Sequence, residues 1–314
     1  MINRRHIRIK VLQAIYGFIQ AGSSDLKVGE DHLKLSIERI YDLYLMQLAL
    51  AIELLHESYR EREDARNKYF PTPDDLKSET PFTQNRILNI LANSEDLQKK
   101  LKSNKISWQR RQDIPQKIFR KIRFSEAYKT YFQNEKSSIK DDKEFIIYCF
   151  DTFVFNDEVI ESYYEELNIH WADDIYIINA AVHKTIKSVE ENKPLKLPHL
   201  LHDKEEDMQF AFDLFRKTIM HYEPYETLIR NKAQNWEIER IALMDILLMK
   251  MALTEIMSME SIPVKVSLNE YIEISKLFST PKSNAFINGI LDKLVADLKK
   301  ENKIIKTVRG LIEN

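Results

Sequence analysis

Residues 262–293 of this chain read IPVKVSLNEYIEISKLFSTPKSNAFINGILDK, a pattern that predicts two amphipathic helices separated by a proline break. Ser267 and Glu270 predict a capping box at the start of the first helix, in which each side chain would bond to a backbone N–H group. Ser283 would cap the second helix. Gly289 lies inside that helix, where glycine costs about 1 kcal/mol relative to alanine, so we expect a neighbouring backbone to approach closely there.

The composition is that of a globular protein without a strong overall charge. The chain has 314 residues, of which 44% are hydrophobic and 31% are charged, enough for one large or two modest domains. The formal net charge is −2, so any affinity for nucleic acid must come from local basic patches. A lone cysteine, Cys149, excludes an intramolecular disulfide and a zinc cluster built on several cysteines, which predicts a reducing compartment, the cytoplasm. The most apolar windows, 43–55 and 241–253, are too short to cross a membrane, and the N-terminus does not look like a secretory signal.

The positions of glycine argue against a nucleotide-binding enzyme. There are five glycines, and none lies between residues 30 and 288. Phosphate-binding loops and dinucleotide fingerprints need clustered glycines, so neither is expected here. The histidines and acids between 199 and 206 follow a proline at a helix start, where acidic residues are favoured without any metal. We therefore expect no catalytic residue, no metal and no cofactor.

Long apolar periodicities and connections marked by proline predict an all-α protein. The most apolar of its helices, 237–256, is expected at the core because it is apolar nearly all round. The other predicted segments are a first helix at 3–21, one or two helices over 31–66, a middle helical segment at 82–191, a linker at 192–198 and four or five helices in 205–300. The predicted domains are 1–66, a helical insertion at 67–198 of unknown role, a C-terminal core at 199–300 and a tail at 301–314.

A weak internal repeat relates two parts of the chain at an offset of 65 residues. The aromatic residues that recur are Phe145, Phe150 and Trp171, matched by Phe210, Phe215 and Trp236. A duplicated helical unit would explain this spacing and the length of the chain. Chance recurrence of aromatic residues in helical sequence explains it as well, so both interpretations stay open at this point.

The first helix carries a basic cluster at its N-terminal end, formed by Arg4, Arg5, His6, Arg8 and Lys10. The N-terminus of a helix is already positive, so clustered arginines there are unfavourable unless an anion compensates them. Arginine presents a planar donor fork to phosphate and stacks on exposed bases, which makes RNA one candidate for that anion. A solvated, frayed helix end is the simpler interpretation of the cluster.

A second basic patch lies at 99–123, with ten lysines and arginines against one aspartate. Basic residues interleaved with aromatic residues are typical of proteins that bind single-stranded nucleic acid. The alternative is a solvated helix whose aromatic residues face the core. The candidate RNA-binding residues of this patch are Arg110, Arg111, Arg120 and Arg123, and its aromatic residues are Trp108, Phe119 and Phe124.

Several segments resemble the NusB family of transcription antitermination factors. The C-terminal likeness lies in PVKVSLNEYIEISK (263–276) and FINGILDK (286–293), and it extends upstream through 235–256. The N-terminal segment RRHIRIKVLQAIY (4–16) resembles the arginine-rich first helix of the family. Together the likeness covers roughly 1–22 and 207–300, which leaves the long middle of the chain unaccounted for.

The resemblance implies a fold, a function and a set of partners. Members of this family fold as two three-helix bundles, and here a large helical segment would be added to them. With a small-subunit ribosomal protein, NusE, they bind single-stranded boxA RNA and join the antitermination complex on RNA polymerase, which supports processive transcription of ribosomal RNA operons. The implied RNA-binding residues are Arg4, Arg5 and Arg8, with His6 where the family usually has a basic residue. Lys282 lies in the loop before the last helix, where the family commonly has acidic residues. It could favour phosphate contact, and the alternative is a plain surface lysine.

Two other functions compete with this one. Some ribosomal RNA methyltransferases carry a NusB-like domain, but their catalytic domain needs a glycine-rich cofactor loop, which has no place in a chain without glycine between 30 and 288. The second is a helical protein–protein interaction scaffold that keeps the fold but has lost specific RNA binding. Retained partner binding without RNA affinity would support the scaffold.

Overall fold

The computed structural model describes residues 1–73, 76, 80, 82–133, 138–233, 242–280 and 283–307. Within these residues the chain forms fourteen α-helices and no strand, which confirms the all-α prediction. The first seven helices are α1 (Arg4–Gln20), α2 (Leu26–Arg66), α3 (Arg86–Ala92), α4 (Glu95–Ser103), α5 (Asp113–Arg123), α6 (Glu126–Gln133) and α7 (Ile139–Phe153). The other seven are α8 (Glu158–Leu167), α9 (Ile175–Ser188), α10 (Lys204–Met220), α11 (Tyr222–Lys232), α12 (Leu243–Ser258), α13 (Val264–Phe278) and α14 (Ser283–Lys300). Short 3₁₀ turns lie at Gln109–Arg111 and Ile169–Trp171.

The helices form two compact units. The first unit consists of Met1 with Glu38–Leu200, and the second of Ile2–Ile37 with the chain from Leu201 onward. The segment 31–66, for which one or two helices were predicted, belongs to the single helix α2, which contributes to both units. This division falls inside α2 at 37/38, whereas the predicted domain boundary at 66/67 lies at the end of that helix.

Helix α12 forms the centre of the second unit, as its all-round apolar sequence predicted. Its residues from Asp245 to Ile256 are all buried, and α1, α10, α11, α13 and α14 each pack against it. The predicted start of this helix, 237–241, lies outside the described residues.

The capping box predicted from the 262–293 segment does not form. Helix α13 begins at Val264 and places Ser267 and Glu270 inside the helix. There, the Ser267 hydroxyl donates to Glu255 at 2.7 Å, and Glu270 accepts from Arg5. Partners on other helices therefore replace the local capping bonds.

The predicted close approach at Gly289 is also absent. A Cβ atom added there would meet nothing within 4 Å. The glycine that does permit a close approach is Gly29 in α2, where a Cβ would collide with the rings of Phe18 and Phe215. These two rings pack edge to face with centroids 5.6 Å apart, so a glycine at 29 lets α2 lie against them.

The internal repeat is present in the helices as well as in the aromatic residues. Helix α10 begins 65 residues after α7, and α11 begins 64 residues after α8. Five buried positions of α7 have buried counterparts in α10 at the same offset: Asp142 and Asp207, Phe145 and Phe210, Ile146 and Ala211, Cys149 and Leu214, Phe150 and Phe215. Trp236 lies outside the described residues. Recurrence of both helix positions and burial favours duplication over chance.

The helices that pack on α7 and α10 begin in the same way. Asn85 caps α3 and Asn3 caps α1, each by accepting a bond from the backbone N–H three residues later. The next residue is an arginine in both helices. Arg86 pairs with Asp142 at 2.7 Å, and Arg4 pairs with Asp207 at 3.4 Å. The positions corresponding to Arg5 and Arg8 are Ile87 and Ile90, so the basic cluster itself is not repeated.

Candidate nucleic-acid interface

The predicted basic cluster lies at the start of α1, which a reciprocal cap fixes in place. The Asn3 side chain accepts a bond from the His6 backbone N–H, and the His6 Nδ1 accepts one from the Asn3 backbone N–H, both at 3.2 Å. Burial, together with the charge of Arg5, lowers the pKa of His6. A neutral imidazole is the form whose Nδ1 can accept this bond. His6 therefore serves as a capping residue in this structure, in addition to the RNA contact predicted for it.

Arg8 lies in the core of the second unit. Its Nε and Nη2 each donate to a carboxylate oxygen of Glu255 at 2.7 Å. Glu255 also accepts from Ser267 at 2.7 Å and from Tyr271 at 3.1 Å, and the guanidinium lies over the rings of Phe210 and Tyr271. Burial opposes the charge of Arg8, but the bonds to Glu255 outweigh it and raise the pKa of Arg8.

Lys10 is also buried, with 1% of its surface exposed. The RNA contacts predicted for Arg8 and Lys10 stay predictions. Lys10 would have to leave the core, whereas Arg8 lines a cleft beside α1 although only 3% of its side chain is exposed. In the folded structure Arg8 holds α1 against α12 and α13.

The two arginines that reach the surface are Arg4 and Arg5, whose side chains are 32% and 38% exposed. Arg5 binds Glu270 through two hydrogen bonds of 2.8 and 2.9 Å, and the bond from Arg5 holds the pKa of Glu270 below its usual range. Arg4 pairs with Glu206 at 2.5 Å as well as with Asp207. Arg4 could exchange the exposed carboxylate of Glu206, and Arg5 the half-buried carboxylate of Glu270, for an external phosphate without leaving the core empty.

Carboxylates of other helices resolve the electrostatic conflict at the start of α1. Arg4 is compensated from α10, Arg5 from α13 and Arg8 from α12. The sequence predicted that an anion must compensate these arginines, and the structure shows anions supplied by the protein itself. An RNA phosphate would therefore have to compete with Glu206 or Glu270.

A cleft of about 730 Å³ opens beside these arginines. Asn3, Arg4 and Arg5 line one wall, and Lys265 and Asn269 of α13 line the other. Lys265 and Asn269 are exposed and lie one helical turn apart, so both can face the same ligand. Sequence reasoning did not single them out as binding residues. Their polar i, i+4 spacing opposite the buried face of α13 was the available signal, but the packing of α13 beside α1 was needed to interpret it.

The four arginines of the second basic patch have different surroundings. Arg110 and Arg120 are exposed and have no ion pair in the part of the chain that the structure describes. Arg111 pairs with Asp113 at 3.0 Å, and Arg123 pairs with Glu61 at 2.6 Å. RNA contact by these four arginines stays a prediction, and two of them would have to leave a carboxylate partner to make it.

The aromatic residues of this patch are mostly in the core. Trp108 is fully buried and its indole N–H donates to the Met46 carbonyl at 3.1 Å, while Phe119 is 5% exposed. Only Phe124 reaches the solvent, with 68% of its surface exposed. A continuous aromatic platform for bases is therefore absent from this part of the described chain.

The remaining sequence predictions concern a loop, metals and membranes. Lys282 lies outside the described residues. No group of three or more histidine, cysteine, aspartate or glutamate side chains in the described ranges is arranged to hold a metal ion. No helix among the residues with described structure is long and apolar enough to cross a membrane.

The fold and the basic cluster at the start of α1 together define an all-helical protein. Its first helix presents arginines beside a C-terminal helical core. Residues 175–296 match the model of the NusB family. The chain is 47% identical over 103 residues to the transcription antitermination protein NusB of Salinibacter ruber, covering 33% of this chain and 64% of the relative.

Two further relatives bear the same name. The Chloroherpeton thalassium protein is 39% identical over 104 residues, covering 33% of this chain and 49% of the relative. The Geobacter sulfurreducens protein is 42% identical over 89 residues, covering 28% of this chain and 64% of the relative. The chain thus spans about half to two thirds of the length of these relatives. No solved structure gives a significant match.

Proposed function

We propose that this protein is an RNA-binding transcription antitermination factor. It binds boxA-type single-stranded RNA together with a small-subunit ribosomal protein acting as NusE, and it supports transcription of ribosomal RNA operons as part of the antitermination complex on RNA polymerase. The observation that carries this proposal is the cleft at the start of α1, where Arg4 and Arg5 face Lys265 and Asn269. The match of residues 175–296 to the NusB family model and the names of the relatives support it. This function requires the cytoplasm.

The cleft offers the contacts that single-stranded RNA needs. Its volume of about 730 Å³ lies within the range of small-molecule sites and is open to solvent, which suits an extended strand. Arg4, Arg5 and Lys265 would neutralise phosphates, and the amide of Asn269 would bond to a base edge. Exposed Val266 adds an apolar contact on the same wall. No step is catalytic, because binding depends on position, charge and shape.

The second basic patch keeps its predicted role as an additional RNA contact. Arg110 and Arg120 are the stronger candidates because they are exposed and carry no ion pair among the described residues. Arg111 and Arg123 would each have to give up a carboxylate first. Reversing the charge at these four positions should lower RNA affinity and its dependence on salt if the prediction is right.

The interaction scaffold remains a second candidate because of one observation. Each arginine at the start of α1 already has a carboxylate partner, so the cluster is stable without RNA. A scaffold would use this network only to hold α1 in place. It would bind the ribosomal protein and show no preference for boxA.

Transcription in vitro tests the proposed function itself. RNA polymerase would transcribe a ribosomal leader through a terminator, with the NusE-type partner present and this protein added or omitted. We expect this protein to increase read-through on a template with intact boxA and not on one with scrambled boxA. Equal read-through on both templates, with partner binding retained, would favour the scaffold.

A further inference from the structure

The first unit contains an open groove between α5 and the start of α8. Its volume is about 380 Å³. Ile114 and Ile118 form a buried floor, whereas Phe124 and Val159 are 68% and 45% exposed at its sides. Exposed apolar side chains beside a concave surface are a common mark of a binding site.

The rim of the groove is basic. Lys117, Arg120 and Lys121 line it, against one carboxylate, Asp157. Lys121 pairs with Asp157 at 2.6 Å and Lys117 lies 3.4 Å from Asp113, while exposed Arg120 has no ion pair among the residues that the structure covers. Arg120 therefore gives the rim a positive charge without a carboxylate partner among the described residues, and this charge is available to a ligand in the groove.

One ion pair connects the two walls of the groove. Asp157 caps α8 by accepting bonds from the Val159 and Ile160 backbone N–H groups, and the same carboxylate receives Lys121 of α5. A groove that is already formed loses little conformational entropy when it is filled, which favours affinity.

The chemistry of the floor distinguishes between two kinds of acidic ligand. A nucleobase buried against Ile114, Ile118 and Val159 would leave its polar edges without hydrogen-bond partners, which is costly. Aliphatic side chains on one face of a helix carry no such cost, and acidic residues on its flanks would meet Lys117 and Arg120. Charge and floor together therefore fit a peptide better than RNA.

We propose that the groove between α5 and α8 binds the apolar face of an acidic amphipathic helix from a partner protein. Leucine-sized side chains at i, i+3 and i+4 of that helix enter the groove beside Phe124. Its flanking carboxylates bind Arg120. This surface is separate from the cleft at the start of α1. It shares Arg120 with the additional RNA contact proposed for the second basic patch, and the comparison of peptide with oligo(U) distinguishes the two roles.

Fluorescence anisotropy with the full-length protein tests the proposal. The probe is a synthetic labelled peptide with leucines at i, i+3, i+4 and i+7 and glutamates elsewhere. The comparison ligands are the same peptide with lysines in place of glutamates, a scrambled peptide and oligo(U). Variants are Phe124→Ser and Arg120→Glu, with Arg110→Glu as a matched exposed cation that does not line the groove.

We expect the glutamate peptide to bind most tightly and each groove variant to weaken it about tenfold or more. Arg110→Glu should bind it like the wild type. Thermal unfolding midpoints equal to that of the wild type would show that the variants fold. Equal binding by all variants would overturn the proposal. The proposal would also be overturned if the peptide did not bind while oligo(U) did, with the groove variants weakening the binding of oligo(U).

Discussion

Arg8 of α1 and Glu255 of α12 form a buried ion pair with two hydrogen bonds of 2.7 Å, although 247 residues separate them in the sequence. Their side chains are 3% and 0% exposed. The pair joins the first helix to the C-terminal core, and both belong to the second unit. Arg4 and Arg5 lie on the same helix and line the cleft.

Removing one partner of this pair should destabilise the second unit strongly. Arg8→Met leaves Glu255 buried without its counter-ion, which typically costs about 3–5 kcal/mol of unfolding free energy. Arg5→Ala should cost less than about 1 kcal/mol, because the Arg5–Glu270 pair is partly exposed. Denaturant unfolding followed by circular dichroism measures both. A loss for Arg8→Met no larger than that for Arg5→Ala would contradict a structural role for Arg8.

The Arg5–Glu270 pair should also make stability depend on pH. The pKa of Glu270 lies below its usual value of 4.5 in the folded state, so its contribution is present above pH 4.5 and is lost as pH falls through the folded pKa. The difference in unfolding free energy between the wild type and Glu270→Gln should therefore shrink as pH falls below 4.5. Unfolding curves at pH 7 and in acid test this. A constant difference would mean that Arg5 does not stabilise the Glu270 carboxylate.

Two glycines in helices should respond oppositely to alanine. Gly29→Ala places a methyl group against the rings of Phe18 and Phe215 and should cost about 1–3 kcal/mol through overpacking. Gly289→Ala meets open space inside α14 and should stabilise by up to about 1 kcal/mol. Thermal or denaturant unfolding of the two variants provides the comparison. Destabilisation by Gly289→Ala would show that a backbone does approach there.

The repeated helix starts provide a matched pair of variants for RNA binding. Arg4→Ala and Arg86→Ala each remove an arginine that follows a capping asparagine and pairs with an aspartate. Arg4→Ala should lower boxA affinity because Arg4 lines the cleft, whereas Arg86→Ala should leave it unchanged. Equal loss of affinity in both would point to general destabilisation rather than to RNA contact.

Much of the second unit could be predicted from the sequence. The features that could not be predicted are those that depend on residues far away in the chain. Helices α1 and α12 were predicted because their signals are local, an apolar periodicity in α1 and a run that is apolar nearly all round in α12. The position of the basic cluster was predicted as well, but not that Glu255, Glu270 and Asp207 would pair with it, since those residues lie more than 200 positions away. Ser267 was predicted to be a cap from its local spacing to Glu270. It bonds instead to Glu255, which lies 12 residues earlier and on another helix.

In the first unit the sequence predicted helices but not surfaces. Trp108, Phe119 and Phe124 look alike in a basic stretch, and only packing shows that the first two are buried and the third is exposed. The groove beside Phe124 depends on α8, whose place next to α5 no local pattern specifies.

The most direct test is a titration of labelled boxA-like RNA and a scrambled RNA with this protein and its ribosomal-protein partner, at several salt concentrations. The variants are Arg5→Glu, in the cleft, and Arg216→Glu, a matched partly exposed arginine that pairs with Glu30 and does not line the cleft. We predict tighter binding of boxA, weakening with salt, a loss of about tenfold or more in Arg5→Glu and no loss in Arg216→Glu. Equally weak binding of both RNAs, or equal losses in the two variants, would contradict RNA recognition at the start of α1.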